Sequence, residues 1–144
     1  HKRLGDEYVD LDRFDEAIAE FKEAIRLSHD FVGAYIGLGN AYYNQDLFEE
    51  SIEPYKKAVE LSPNYELANI YLADAYFYSD QYPLAITYYK KVITLNPKAA
   101  DAYYGLGLCY VKQKNKDSAM EQYNKLKPLD SELAEKLLAL INEM

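Results

Sequence analysis

The chain is poor in the residues that most often build a reactive centre. A single cysteine, Cys109, excludes an intramolecular disulfide framework. Of the two histidines, His1 opens the chain and His29 lies well downstream, so neither belongs to a local metal-ligand motif. Basic residues are scarce, 16 against 24 acidic, giving a formal net charge of -8. With a pI near 4.8 the chain lacks the basic surface that phosphate backbones demand, which argues against nucleic acid as its main partner. No apolar run approaches the roughly 18 residues of a membrane-spanning helix. Third glycines are missing from Gly37-Leu38-Gly39 and Gly105-Leu106-Gly107, and neither segment follows a strand, so neither reads as a dinucleotide loop. No catalytic residue, metal or cofactor is expected.

What is present is a period of 34 residues. Pro63 and Pro97 stand 34 apart, and the same step relates Leu4, Leu38, Leu72 and Leu106. It relates Gly5, Gly39, Ala73 and Gly107, and likewise Tyr8, Tyr42, Tyr76 and Tyr110. Ala17, Ser51, Ala85 and Ala119 form a further column, as do Phe21, Tyr55, Tyr89 and Tyr123, and Leu27, Leu61, Leu95 and Leu129. Small residues at Gly39, Ser51 and Ala58 let two helices approach, and Tyr42 and Tyr55 fill the space between them. The prolines stop a helix. Asp12, Asp46 and Asp80 fall between helices, where Asp tolerates left-handed backbone and can cap the next helix. Pro83 suits a first helical turn. Pro54 lies about a turn into its helix and predicts a slight kink or a late start.

The residues Tyr35, Leu38-Gly39, Tyr42, Ser51, Tyr55, Ala58 and Pro63 carry a resemblance to the tetratricopeptide repeat, a helix–turn–helix unit of about 34 residues. The resemblance implies an all-α fold: a right-handed superhelical solenoid of antiparallel helix pairs. Repeat 1 would cover 1–31 and lack its first positions, repeat 2 32–65, repeat 3 66–99 and repeat 4 100–130. A capping helix would follow over 131–144, with Ser131 as N-cap and an apolar stripe of Leu133, Leu137, Leu140 and Ile141 against repeat 4. Because the chain begins inside a helix and without Met, it reads as a piece of a longer protein. Cys109, beside the core residue Tyr110, reads as a buried structural thiol.

Tyrosine is in surplus. Of the 16, ten are absorbed by the repeat scaffold, leaving Tyr43, Tyr65, Tyr71, Tyr78, Tyr88 and Tyr104. In the family, the inner face of the first helix of each repeat lines a concave groove. Tyr43, Tyr71, Tyr78 and Tyr104 fall on such positions, with Ile36, Leu67, Ile70, Phe77, Leu108 and Val111. Asp6, Asn40 and Asp74 share one groove-facing column, and Asn44 lies on the same face. Tyr88 falls on the convex side. Ile36, Tyr43, Ile70, Phe77, Tyr104 and Val111 also touch the neighbouring repeat, so part of this stripe can serve inter-repeat packing. Apolar patches of this kind mark partner sites, and tyrosine suits them as a rigid, amphipathic side chain.

Two grooves known in the family do not transfer. One clamps an acidic chaperone C-terminus with Lys, Asn and Arg. Here Lys2 matches, but Asp6, Gly37, Leu67 and Tyr71 stand at the other positions. The other carries an asparagine ladder, where this chain has Arg3, Gly37, Tyr71 and Gly105. The expected function is therefore a non-catalytic scaffold holding a peptide or helix with apolar anchors, and some basic residues, in an aromatic groove. The alternatives are a self-association module forming a homo-oligomer, and a substrate-presenting appendage of an enzyme encoded elsewhere in the protein. The compartment stays open, with the cytoplasm favoured.

Overall fold

The computed structural model describes all 144 residues and contains nine helices and no strand. They are α1 (Lys2–Asp10), α2 (Phe14–Leu27), α3 (Val32–Tyr43), α4 (Phe48–Leu61), α5 (Glu66–Tyr78), α6 (Tyr82–Leu95), α7 (Ala100–Lys112), α8 (Lys116–Leu126) and α9 (Ser131–Asn142). The helices pack in sequential pairs: α1 with α2, α3 with α4, α5 with α6 and α7 with α8. Each second helix also touches the first helix of the next pair, which makes an all-helical solenoid.

The column Phe21, Tyr55, Tyr89 and Tyr123 is the spine of the stack. All four rings are buried, Tyr55 and Tyr89 to within 1% and 2% of full exclusion from solvent. Small residues make that possible. A Cβ on Gly39 would sit 2.4 Å from the Tyr55 ring, and one on Gly105 would sit 2.4 Å from the Tyr89 ring. The Tyr42 column is less uniform: Tyr76 is buried, whereas Tyr42 is only partly so. Of the two rings expected to fill the space between helices, Tyr55 is the buried one. The Leu27 column is peripheral, with Leu27, Leu61 and Leu129 substantially exposed at helix ends.

A second column explains how consecutive pairs are spaced. Tyr35, Asn69 and Tyr103 each donate a hydrogen bond to the backbone carbonyl six residues earlier: His29 at 3.0 Å, Pro63 at 3.0 Å and Pro97 at 2.8 Å. The loop between pairs is thus held by the first helix that follows it. Because His29 supports the same bond as the two prolines, proline is not required for the helix to stop. The helices end at Leu27, Leu61 and Leu95, and the following Ser28, Ser62 and Asn96 all have φ near -140 to -147.

Turns within pairs place Asp12, Asp46 and Asp80 at φ of 55, 60 and 60, the left-handed region that the residue type suggests. Lys114 occupies the fourth equivalent position at φ 58. None of these aspartates caps the following helix. The N-cap residues are Arg13, Leu47, Gln81 and Asn115, and of these only Asn115 accepts a bond through its side chain, from Ser118 N–H at 3.1 Å. Asp80 Oδ1 instead accepts from the hydroxyl of Tyr82, the first residue of α6, at 2.7 Å. Pro54 sits inside α4 without delaying it, since α4 begins at Phe48 in register with Phe14 and Tyr82. Pro83 lies in the first turn of α6, as expected.

α9 closes the stack. Ala134, Leu137 and Ile141 are buried against Tyr103, Tyr123 and Leu126, and Leu133 packs at the margin. Its N-cap is Asp130 rather than Ser131. Asp130 is extended (φ -154, ψ 97) and accepts from the Leu133 N–H at 3.0 Å, whereas Ser131 already lies in the helix. Cys109 is fully buried in the main core, and burial pushes its thiol up to about 12. No helix is long and apolar enough to cross a membrane.

Candidate functional site

The first helices of the pairs line an open cleft of about 370 Å³ spanning α3, α5 and α7. Nine residues singled out in the sequence meet there: Tyr43, Leu67, Ile70, Tyr71, Asp74, Phe77, Tyr78, Tyr104 and Leu108. Four others do not. Ile36 is buried in the core with Ile52 and Tyr55. Asn40 lines a separate, smaller cleft, and Asn44 follows the end of α3 on exposed backbone. Val111 likewise lies elsewhere, beside Leu140 of α9.

One rim is an aromatic cluster. Tyr78 stacks on Phe48 with ring centroids 4.9 Å apart, and Tyr43 meets both edge-on, at 5.1 Å from Phe48 and 5.9 Å from Tyr78. Phe77 adds an edge contact to Tyr78 at 5.1 Å. Such geometries fix ring orientation beyond what area burial alone would. Tyr78 nonetheless leaves 51% of itself to solvent. Tyr71 lies over Tyr55 of the preceding pair, with centroids 5.6 Å apart. Tyr88, expected on the convex side, stacks on Tyr76 at 5.7 Å.

The floor holds residues that sequence reasoning missed: Tyr89, Asp101 and Gly105. Tyr89 belongs to the buried column, and it reaches the cleft because Gly105 above it has no side chain. The signal lay in the column Arg3, Gly37, Tyr71 and Gly105, where the change from ring to glycine opens space. Tyr89 donates its hydroxyl hydrogen bond to Asp74 Oδ1. The equivalent Tyr55 donates to Asn40 Oδ1 at 2.7 Å. Asn40 and Asp74 thus give one oxygen each to the scaffold, whereas the sequence alone suggested that both face a partner.

Burial raises the Asp74 carboxyl to about 6, the Tyr89 bond opposes that rise, and the nearby Asp101 carboxylate adds to it. Burial also pushes the phenols of Tyr43, Tyr71 and Tyr89 up, so these rings remain neutral. The cleft therefore offers apolar rings, neutral hydroxyls and two acidic groups.

Three family profiles match the chain, described as TPR repeat over residues 5–46 and as tetratricopeptide repeat over 32–65 and 72–134. Among curated protein sequences none matches significantly. Among solved structures, a crystal structure of MamA is 28% identical over 97% of this chain and 93% of its own, with a TM-score of 0.85. A second MamA structure is 31% identical over 98% of this chain and 82% of its own, again with a TM-score of 0.85. YrrB, described as a TPR protein with an unusual peptide-binding site, is 19% identical over 98% of this chain and 82% of its own, with a TM-score of 0.80.

Proposed function

This chain belongs to the tetratricopeptide repeat family, whose solenoids are typically non-catalytic scaffolds for protein–protein interaction, and from that premise we propose that the cleft of α3, α5 and α7 holds a peptide or helix of a partner protein. The observation that carries this reading is the accessible aromatic lining, above all Tyr78, half-exposed yet held in place by Phe48 and Tyr43. Rigid rings lose little entropy on binding, which is why they anchor interfaces. YrrB, of the same fold, is described as having a peptide-binding site, and this lends support. Catalysis is not part of the reading: the phenols of Tyr43, Tyr71 and Tyr89 are held neutral, and the Cys109 thiol is buried and kept protonated.

The test is to pan a randomised dodecapeptide library against the intact chain and re-measure each selected peptide on the Tyr71→Ala/Tyr78→Ala double variant. If each ring anchors by on the order of 2 kcal/mol, the pair together is worth roughly a 1,000-fold loss in affinity. Tyr78→Ala alone, at the half-exposed position, keeps the result readable should loss of Tyr71 from the Tyr55 ring disturb folding. Lys57→Ala on the outer helix α4 should bind normally. Unchanged affinity in a folded double variant would remove the cleft as the site.

A second reading, self-association, draws on Leu4. It is 39% exposed where its equivalents Leu38, Leu72 and Leu106 are buried. Sedimentation of Leu4→Glu against the parent chain tests it, since association through this face should be lost in the variant.

A further inference from the structure

The cleft has a counterpart two repeats earlier, and the two differ in charge balance. The smaller cleft, about 240 Å³, is lined by Asp6, Val9, Asp10, Phe21, Gly37 and Asn40. In the 34-residue register these positions are those of Asp74, Phe77, Tyr78, Tyr89, Gly105 and Leu108, all of which line the larger cleft. In the earlier copy the carboxylate is already neutralised: Lys2 Nζ lies 2.5 Å from Asp6 Oδ2 on the same helix. The residue in the Lys2 register in the later copy is Ile70. Asp74 therefore has the same placement with no cation of its own. The scaffold does not need that charge, because Asn40 serves Tyr55 as Asp74 serves Tyr89.

Building on the reading of the cleft as a peptide site, we propose that it seats a lysine or arginine side chain of the bound segment, its charge meeting Asp74 and Asp101 and its stem lying among Tyr71, Tyr78 and Tyr104. The surroundings favour this occupant. α3 carries no charged residue, α5 carries Glu66 and Asp74, and α7 carries Asp101 and, at its far end, Lys112. No basic residue lines the cleft. The groups facing Asp74 are Tyr43 of α3, Tyr55 of α4, Tyr71 of α5, Tyr89 of α6, and Asp101 and Cys109 of α7, none of them cationic. A partly buried carboxylate beside a second acid is costly until a cation arrives. Tyrosine faces add attraction for that cation once it is partly desolvated.

The test uses randomised dodecapeptides panned on the intact chain and counter-selected on the Tyr71→Ala/Tyr78→Ala variant. That variant has the same net charge, so peptides drawn only by the acidic surface are discarded. The retained peptides should share a lysine or arginine flanked by apolar residues, and replacing it with methionine should weaken binding about 10-fold or more. Asp74→Asn should cause a similar loss for the cationic peptide and none for its methionine form. Asp117→Asn, which removes the same charge from the exposed start of α8, should cause none. Since Asp74 titrates near 6, moving from about pH 7.5 to about pH 5.5 should weaken the cationic peptide several-fold on the parent chain and leave Asp74→Asn unaffected. Thermal unfolding checks that Asp74→Asn is folded, as the Asn40–Tyr55 pair leads one to expect.

Retained peptides that lack a basic residue, or equal affinity for Asp74→Asn, would overturn the cation seat while leaving the cleft as a peptide site. If no peptide survives counter-selection, the cleft is not a docking surface and both readings fall.

Discussion

The two clefts are made from the same columns of the repeat, yet one is polar and small and the other is aromatic and larger. In the earlier one, Asp6, Asp10 and Asn40 surround Phe21, and Lys2 pairs with Asp6. In the later one, Phe77, Tyr78 and Leu108 replace Val9, Asp10 and Asn40, and the buried ring gains a hydroxyl as Tyr89. Between them Tyr71 stands at the glycine position and fills what would have been a third opening by lying on Tyr55. Columns that are uniform across copies build the stack, while columns that vary decide where the stack is open and what chemistry it exposes. That division separates scaffold from site within a single repeating unit.

The largest effects should come from the shared framework and should not distinguish the clefts. Phe21→Ala, Tyr55→Ala and Tyr89→Ala each remove a buried ring from between helices and should each cost about 3–5 kcal/mol in denaturant unfolding. Tyr42→Ala, at a partly exposed position, should cost clearly less. Values for the three buried rings that scatter as widely as the column of Leu4, Leu38, Leu72 and Leu106 does in exposure would break the idea of a uniform spine.

A smaller effect should separate copies that pack alike. Tyr55→Phe strands the Asn40 carbonyl and should cost about 1 kcal/mol, whereas Tyr89→Phe strands a carboxylate and should cost about 2 kcal/mol. Measured by chemical denaturation, equal losses would mean that Asp74 is protonated or solvated enough to behave as Asn40 does.

Much of this architecture was legible because a period of 34 residues encodes backbone geometry directly. Asp12, Asp46 and Asp80 mark left-handed turns by residue type alone, and the fourth, Lys114, follows only from the register. What the period could not convey was which way polar atoms point once helices meet. Asn40 and Asp74 lie on the groove face by spacing, yet each spends an oxygen on a tyrosine of a different helix. Ile36 lies on that same face by spacing and is core by packing. Phe48 escaped notice because it opens a second helix, and its part in the rim depends on the sideways approach of Tyr78. Capping failed in a similar way. Asp130 and Ser131 are both able caps, and one residue of backbone conformation decides between them.

The smallest effect is the sharpest comparison, since it exchanges a single atom. Asp74→Asn turns the later copy into a likeness of the Asn40–Tyr55 pair and removes a charge that has no partner. The Asp74 carboxyl is raised from 3.8 to about 6, so the folded chain holds its proton more tightly than the unfolded chain does. Stability from this group is therefore present at acid pH and is lost as pH climbs between those two values, with the full penalty above about 6. The Tyr89 bond to the charged acceptor has already held that rise down. Asp74→Asn should then be more stable than the parent by on the order of 1 kcal/mol near neutral pH, a rise of a few degrees in melting temperature. The advantage should vanish below about pH 4, where the parent carboxyl is neutral in both states. Ile70→Lys sharpens the point by installing the Lys2 arrangement in the later copy. An in-place ammonium should lower the Asp74 titration, shrink the advantage of Asp74→Asn, and occupy the position meant for a partner's cation. Melting curves of the single variants and of the double variant across this pH range would read the first two. An Asp74→Asn advantage that persists unchanged into acid would mean that the carboxyl titrates alike in the folded and unfolded chain, so that its ionisation in the cleft is not the source of the difference.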